Sequence, residues 1–135
     1  METTFEEIQK HYASEVEKAA GRTMTTASEL PLSYEEITPT WLTAALATGH
    51  PGAEVVSHRL GDVDEGTSSR RRIHLEWNEA GVSAGLPASV FCKSTMTLES
   101  RYLLGMNGGI AAETAFFRDI RDQLDIRAPR ALYSE

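Results

Sequence analysis

The sequence lacks the features that stabilise small secreted domains or anchor a chain in a membrane. Cys92 is its only cysteine, so neither an internal disulfide nor a multi-cysteine metal site can form. No stretch approaches the roughly 20 consecutive apolar residues that a bilayer requires. The first ten residues, METTFEEIQK, are acidic and amphipathic, unlike a secretory signal. These absences predict a cytoplasmic protein in a reducing compartment, with no membrane partner.

Basic residues are also scarce, with 13 lysines and arginines against 20 aspartates and glutamates and a net charge of −7. Nucleic-acid binding needs clustered cations to neutralise phosphates, so no nucleic-acid partner is expected. The one basic run, Arg70 to Arg72, lies among acidic neighbours, and its side chains are interpreted as solvated or paired with them. The 41% hydrophobic residues indicate a folded globular chain. Its 135 residues suit one domain or one lobe of a larger protein.

The amino-terminal part, residues 1–52, has helical signals. A helix over 4–20 is predicted because apolar side chains recur at helical spacing, namely Phe5, Ile8, Tyr12 and Val16. Ser33 and Glu36 match a capping box and predict one short helical turn. Thr38 followed by a proline predicts the start of a second helix. Residues 1–52 are therefore predicted to form a helical segment that precedes a different domain.

Residues 53–135 change to the period-two pattern of strands. Alternating or short apolar runs predict strands over 55–60, 71–77, 88–95 and 129–133. Residues 61–66 are predicted to be a tight loop, and 105–109 another loop. A long helix is predicted over 110–124. The predicted fold class is α+β, in which amino-terminal helices precede the strands.

This order of elements resembles the amino-terminal lobe of the protein-kinase-like fold. The resemblance implies an antiparallel sheet of about five strands with one long packed helix, preceded by amino-terminal helices. The resemblance is closest to the aminoglycoside phosphotransferase and choline/ecdysteroid kinase-like group, and it covers roughly residues 30–135. The matching segments are LPLSYEEITPTWLTAALA (30–47), GDVDEGTSS (61–69), VFCK (90–93), AETAFFR (112–118) and APRALY (128–133).

The resemblance implies a nucleotide site. Lys93 would hold the α- and β-phosphates of ATP, and Glu113 would pair with Lys93 and fix its position. Phe91 would lie over the adenine. The loop from Gly61 to Gly66 would fold over the phosphates, and three hydroxyl residues would donate hydrogen bonds to them, namely Thr67, Ser68 and Ser69.

Two departures from the family pattern concern this loop. Val63 occupies the position of the middle glycine, and the carboxylates of Asp62, Asp64 and Glu65 repel phosphates unless they point to water.

The resemblance also implies what this chain does not carry. In the family, the catalytic aspartate and the magnesium ligands belong to a carboxy-terminal lobe, and nothing in these 135 residues matches those motifs. The expectation is an intact small-molecule kinase that uses ATP and Mg²⁺ to phosphorylate a hydroxyl of a small-molecule acceptor. This chain alone is expected to be inactive, without catalytic or metal-binding residues, and to self-associate or pack on the missing lobe. The acceptor is not identified.

Less specific interpretations stay open. Lys93 can be a solvated lysine of an edge strand, and Glu113 a surface carboxylate near Arg118 and Arg121. The glycine loop can be a plain hairpin turn. A non-catalytic interaction domain of kinase-like shape is the alternative function, and an unrelated α+β binding module is a third.

Overall fold

The computed structural model describes residues 4–135, and its amino-terminal part is helical as predicted. Helix α1 runs from Phe5 to Ala19, and the side chain of Thr4 accepts a hydrogen bond from the N–H of Glu7 at its start. Gly21 follows the helix with a φ of 75°, the left-handed conformation that glycine adopts readily. The capping box at Ser33 precedes a 3₁₀ turn, Tyr34–Glu36. Helix α2, Pro39–Leu46, begins at the predicted threonine cap.

The sheet has three antiparallel strands in the order β1-β2-β3. Their bounds are Val55–Glu65, Ser69–Trp77 and Ser89–Ser94, with a short helix α3, Glu79–Ser83, between the last two. The fold class α+β with an antiparallel sheet is confirmed. Within residues 4–135, none of the helices is both long and apolar enough to cross a bilayer.

The predicted strand count is too high, since three strands form instead of about five. Residues 129–133 belong to no strand, because the hydrogen bonds in and next to this segment are made with side chains and not with the backbone of a neighbouring strand. The Arg121 guanidinium donates to the carbonyls of Pro129 and Ala128, at 2.8 and 2.6 Å. The Tyr133 hydroxyl donates to the carbonyl of Ala27 at 2.5 Å. These contacts anchor the segment against the amino-terminal part of the chain.

Helix α4, Leu98–Met106, was not predicted. The helix predicted over 110–124 forms over nearly those bounds, but it is not one regular α-helix. Helix α5, Gly109–Ala115, continues into a π-helical turn, Phe116–Ile120, and a 3₁₀ turn, Arg121–Gln123. Gly108 separates α4 from α5 because its φ of 71° is incompatible with a continuous right-handed helix.

The predicted loop over 61–66 is mostly strand. Leu60 pairs with Ile73 and Val63 pairs with Arg71, so β1 contains one extra residue, a β-bulge at Gly61 and Asp62. A Cβ on Gly61 would lie 3.0 Å from the Arg72 carbonyl oxygen, which explains the glycine at this close approach. The reversal of the chain occurs later, at residues 66–68.

One hydrophobic core joins the helical segment to the sheet. Its most deeply buried side chains are Met24, Leu42 and Ile73. Trp41 of α2 donates its indole N–H to the carbonyl of Glu29 at 2.7 Å, and Trp77 of β2 donates to Pro87 at 2.9 Å. The core thus lies on one side of the sheet and draws on residues from both sides of the predicted boundary at residue 52.

Candidate functional site

The two faces of the sheet differ in character. Ile73, Leu75 and Trp77 of β2 are buried in the core, so the alternate residues, such as Arg70 and Arg72, lie on the opposite side. Arg70 is the cross-strand partner of Lys93, and Arg72 is the partner of Phe91. Directly opposite residues share a face. We call the side of the sheet that carries Arg70, Arg72, Phe91 and Lys93 the open face.

Lys93 and Glu113 form an ion pair on the open face. The ammonium of Lys93 donates to both carboxylate oxygens of Glu113, each at 2.6 Å. The side chains are 43% and 45% exposed, so water reaches the pair. The predicted contact is present between Lys93, on the third strand, and Glu113, on α5, but α5 buries none of its residues, unlike the packed helix that was predicted. A charge-assisted contact of this kind restricts a long, flexible lysine stem to one direction.

A groove of about 410 Å³ lies along the strands, and neither Lys93 nor Glu113 lines it. Its walls come from all three strands: Arg59, Leu60, Gly61, Asp62, Asp64, Arg70, Arg71, Arg72, His74 and Phe91. Phe91 is 61% exposed, an unusual exposure for a phenylalanine and one that leaves its ring free to stack on a ligand. Arg70, the cross-strand partner of Lys93, is one of the lining residues and is the link between the groove and the ion pair.

The glycines and hydroxyl residues of the predicted phosphate loop are not brought together at one point. Gly61 lines the groove, whereas Gly66 forms the turn and donates its N–H to the carbonyl of Ser68 at 3.1 Å. Thr67 is exposed and Ser68 is buried in the turn. Ser69 is buried on the core side, where its carbonyl accepts the Tyr34 hydroxyl at 3.1 Å. The Ser69 side chain is therefore not directed to the open face.

The arginines of the basic run have distinct positions. Arg70 pairs with the acidic segment as predicted, because its Nε lies 3.2 Å from Oδ2 of Asp64. Arg71 lies on the other face, where it donates to the Gly61 carbonyl at 2.6 Å and lies over the Tyr34 ring. Arg72 donates to the hydroxyl of Ser89 at 3.1 Å. The sequence interpretation did not give Arg59 and Arg72 a place in the site, and it is the register of β2 and β3 that puts Arg72 opposite Phe91.

On the core side of the sheet, Arg71 is the charged side chain next to Tyr34, and the groups of Tyr34 and Cys92 stay neutral. Burial raises the pKa of Tyr34 to about 12. Burial also raises the pKa of the Cys92 thiol, and a protonated thiol is neither a nucleophile nor a metal ligand. Cys92 is thus a packing residue, and the chemistry of this region belongs to the charged side chains of the open face.

No family model, no curated protein and no solved structure compared with this chain matches it. The kinase-like resemblance therefore stays an interpretation of the sequence. The function has to be inferred from the residues of the open face.

Proposed function

We propose that the open face binds the nucleotide of an ATP-dependent phosphotransferase that phosphorylates a hydroxyl of a small molecule, in the manner of the aminoglycoside phosphotransferases. The observation that carries the proposal is the ion pair between Lys93 and Glu113, with both Glu113 oxygens 2.6 Å from the ammonium, two residues along β3 from an exposed phenylalanine.

The residues present fit the phosphates and the base of a nucleotide. Lys93 supplies a positive charge that Glu113 holds in place, so the ammonium is already ordered when a phosphate arrives. Phe91 points to the same face and offers an aromatic surface to a purine ring. The adjacent groove adds Arg70 and Arg72, which can balance the charge of a polyphosphate.

The ATP of the proposed reaction is bound together with Mg²⁺. Within the described range, 4–135, no three His, Cys, Asp or Glu side chains gather as a metal site. The family resemblance assigns the metal ligands and the catalytic base to a carboxy-terminal lobe. The proposed role of this chain is therefore to hold and orient the nucleotide, and the isolated chain is expected to bind it weakly without turnover.

An NMR titration with Mg-ATP tests the proposal, since chemical shifts report weak binding. We expect saturable shifts at Phe91, Lys93 and the β1–β2 turn, which Lys93→Met should abolish. Lys10→Met is the matched control, because Lys10 lies on α1 in an exposed pair with Glu6. The proposal is wrong if ATP causes no saturable shifts, or if Lys93→Met leaves them unchanged.

The alternative, a non-catalytic interaction domain, is favoured by the carboxylates that line the groove. Asp62 and Asp64 stand where phosphates would lie and oppose an anion there. The same titration separates the two functions, since an interaction domain should respond to ATP no more than to an equal concentration of chloride salt.

A further inference from the structure

Four charged side chains lie in a row across the open face. Asp64 on β1 is the cross-strand partner of Arg70 on β2, which is the partner of Lys93 on β3. Glu113 then pairs with Lys93 from helix α5. We call these four residues the charge row. Its order is negative, positive, positive, negative, so the two cations are neighbours and the two carboxylates lie outside.

The two central cations have no carboxylate between them. Like charges directly opposite each other in a sheet repel and destabilise the pairing. Among the described residues, the ion pairs of Arg70 and Lys93 are only those to Asp64 and Glu113, each on the outer side. An anion placed between Arg70 and Lys93 would relieve this repulsion from both sides.

The side chain of Arg70 is fixed by fewer hydrogen bonds than the side chain of Lys93. Its Nε is buried and forms no hydrogen bond, because the approach of Asp64 at 3.2 Å lacks suitable angles. Asp64 itself is 71% exposed, and exposed pairs of this kind contribute little. Lys93, in contrast, has two short contacts to Glu113. A competing anion should therefore displace Asp64 from Arg70 and leave Glu113 in place.

Gly66 makes room for the Arg70 guanidinium at the turn. A Cβ on Gly66 would lie 3.2 Å from Nη2 of Arg70, a distance at which one of them must move. The guanidinium thus lies against the β1–β2 turn, on the Asp64 side of Arg70, whereas Lys93 is the neighbour of Arg70 on the opposite side. A polyphosphate, with several phosphate groups, can reach both cations.

We propose that Arg70 is a second phosphate-binding cation beside Lys93, and that Asp64 competes with the ligand for it. The identity of the ligand as a nucleotide rests on the proposed function, whereas the preference for a polyphosphate follows from the charge row. The carboxylate of Asp64 neutralises Arg70 when no ligand is bound, and a bound phosphate takes its place. This competition lowers the affinity of the site.

The test measures binding of inorganic tripolyphosphate and of ATP at low ionic strength, followed by NMR shifts. Asp64→Asn should tighten tripolyphosphate binding by about two- to fivefold, as expected for removal of one exposed competing charge. Glu65→Gln is the control, because it changes the net charge equally from the next position of the same strand. Its neighbour across the ladder is Ser69, on the core side. The proposal is overturned if Glu65→Gln tightens binding as much as Asp64→Asn.

A double variant shows whether Asp64 acts through Arg70. Arg70→Gln should weaken binding by itself, and in that background Asp64→Asn should have no further effect. If Asp64→Asn still increases the affinity for tripolyphosphate when Arg70 is replaced, the proposal is contradicted. Both residues lie on exposed or half-exposed positions, and circular dichroism verifies that the variants fold.

The two ligands distinguish failure of this inference from failure of the proposed function. If tripolyphosphate binds through Arg70 and ATP binds no better, the inference holds and the nucleotide proposal fails. If ATP binds through Lys93 while Asp64→Asn behaves like Glu65→Gln, the nucleotide proposal holds and this inference fails.

Discussion

Two parts of the molecule differ in how well they are packed. Residues 19–77, the core part, contain every buried hydrophobic side chain among the residues described. Residues 82–135, the outer part, contain no fully buried residue, and only a few of their side chains, such as Cys92 and Tyr133, pack partly buried against the core. The outer part instead exposes large apolar side chains, such as Leu103 at 51% and Met106 at 66%. Stability is therefore concentrated in the core part, and local opening should be easiest in the outer part.

The candidate site lies where these two parts meet. Arg70 and Arg72 extend from β2, whose other face is in the core, so their backbone positions are firmly held. Lys93 lies on the edge strand, and Glu113 on a helix without buried residues. One side of the site is thus rigid and the other adjustable. The outer part exposes apolar side chains, so we still predict that the chain self-associates or packs on a further lobe.

The largest effect should come from matched leucine substitutions in the two parts. Leu42→Ala removes a side chain that is 1% exposed and should lower the free energy of unfolding by about 2–5 kcal/mol. Leu103→Ala makes the same chemical change at a 51% exposed site and should cost at most about 0.5 kcal/mol. Urea denaturation measures both. Equal losses would contradict the division into a core part and an outer part.

Two carboxyls provide a comparison by pH. Partial burial raises the pKa of Glu36, but hydrogen bonds from the Leu32 N–H and from Arg22 outweigh it, and the pKa lies below its usual value. A folded-state pKa below the unfolded one stabilises the fold above about pH 4.3, and this stability is lost as the pH falls further. At pH 7, Glu36→Gln should destabilise by about 1.5–3 kcal/mol.

The comparison carboxyl is Asp119, in the outer part. The hydrogen bond from Arg118 lowers the pKa of Asp119, but adjacent residues can keep this contact in the unfolded chain. Asp119→Asn should therefore leave the pH dependence of unfolding unchanged, while Glu36→Gln flattens it below about pH 4.3. Unfolding curves between pH 3 and 7 provide the measurement. If Asp119→Asn changed the pH dependence more than Glu36→Gln, the outer part would unfold together with the core part, which its low burial does not predict.

Threonine caps of two helices allow a finer comparison. Thr38 accepts the Trp41 N–H at 3.1 Å and also donates to the carbonyl of Met24. Thr97 accepts the Ser100 N–H at 3.2 Å at the start of α4. Thr38→Ala should destabilise by about 0.5–2 kcal/mol, and Thr97→Ala by less, because α4 can fray without disturbing the core. Thermal unfolding of the two variants ranks them, and the reverse order would be evidence against the comparison.

The sequence predicted the local features of the fold well. The cap at Thr38 and the capping box at Ser33 depend on neighbouring residues alone, so their signals are readable. The alternation along β2 fixed which residues are buried. The segment 129–133 was predicted wrongly because its structure depends on the distant side chain of Arg121 and on Ala27, which local pattern does not reveal.

The candidate site was predicted in part for the same reason. The family resemblance paired Glu113 with Lys93, and that contact is present. Phe91 and Lys93 are two residues apart on β3, so the alternation of a strand puts them on one face. The position of Arg70 opposite Lys93 depends on the register of β2 and β3, which the sequence does not specify. The bulge at Gly61 likewise arises from pairing with β2, so a strand was mistaken for a loop.

The smallest expected effect concerns the ion pair that joins the two parts. Lys93 and Glu113 are each more than 40% exposed, so water screens their attraction and long side chains lose freedom in pairing. A double-mutant cycle of Lys93→Met and Glu113→Gln should give a coupling free energy of about 0–1 kcal/mol, falling as salt is added. Denaturation of the four proteins at two salt concentrations measures it. The same cycle on ATP affinity should show a larger coupling, because Glu113 acts there by aiming Lys93 at a phosphate. The contrary result is a coupling free energy above about 2 kcal/mol in stability and no coupling in ATP binding. The pair would then be a structural link between the two parts and would no longer support the nucleotide site.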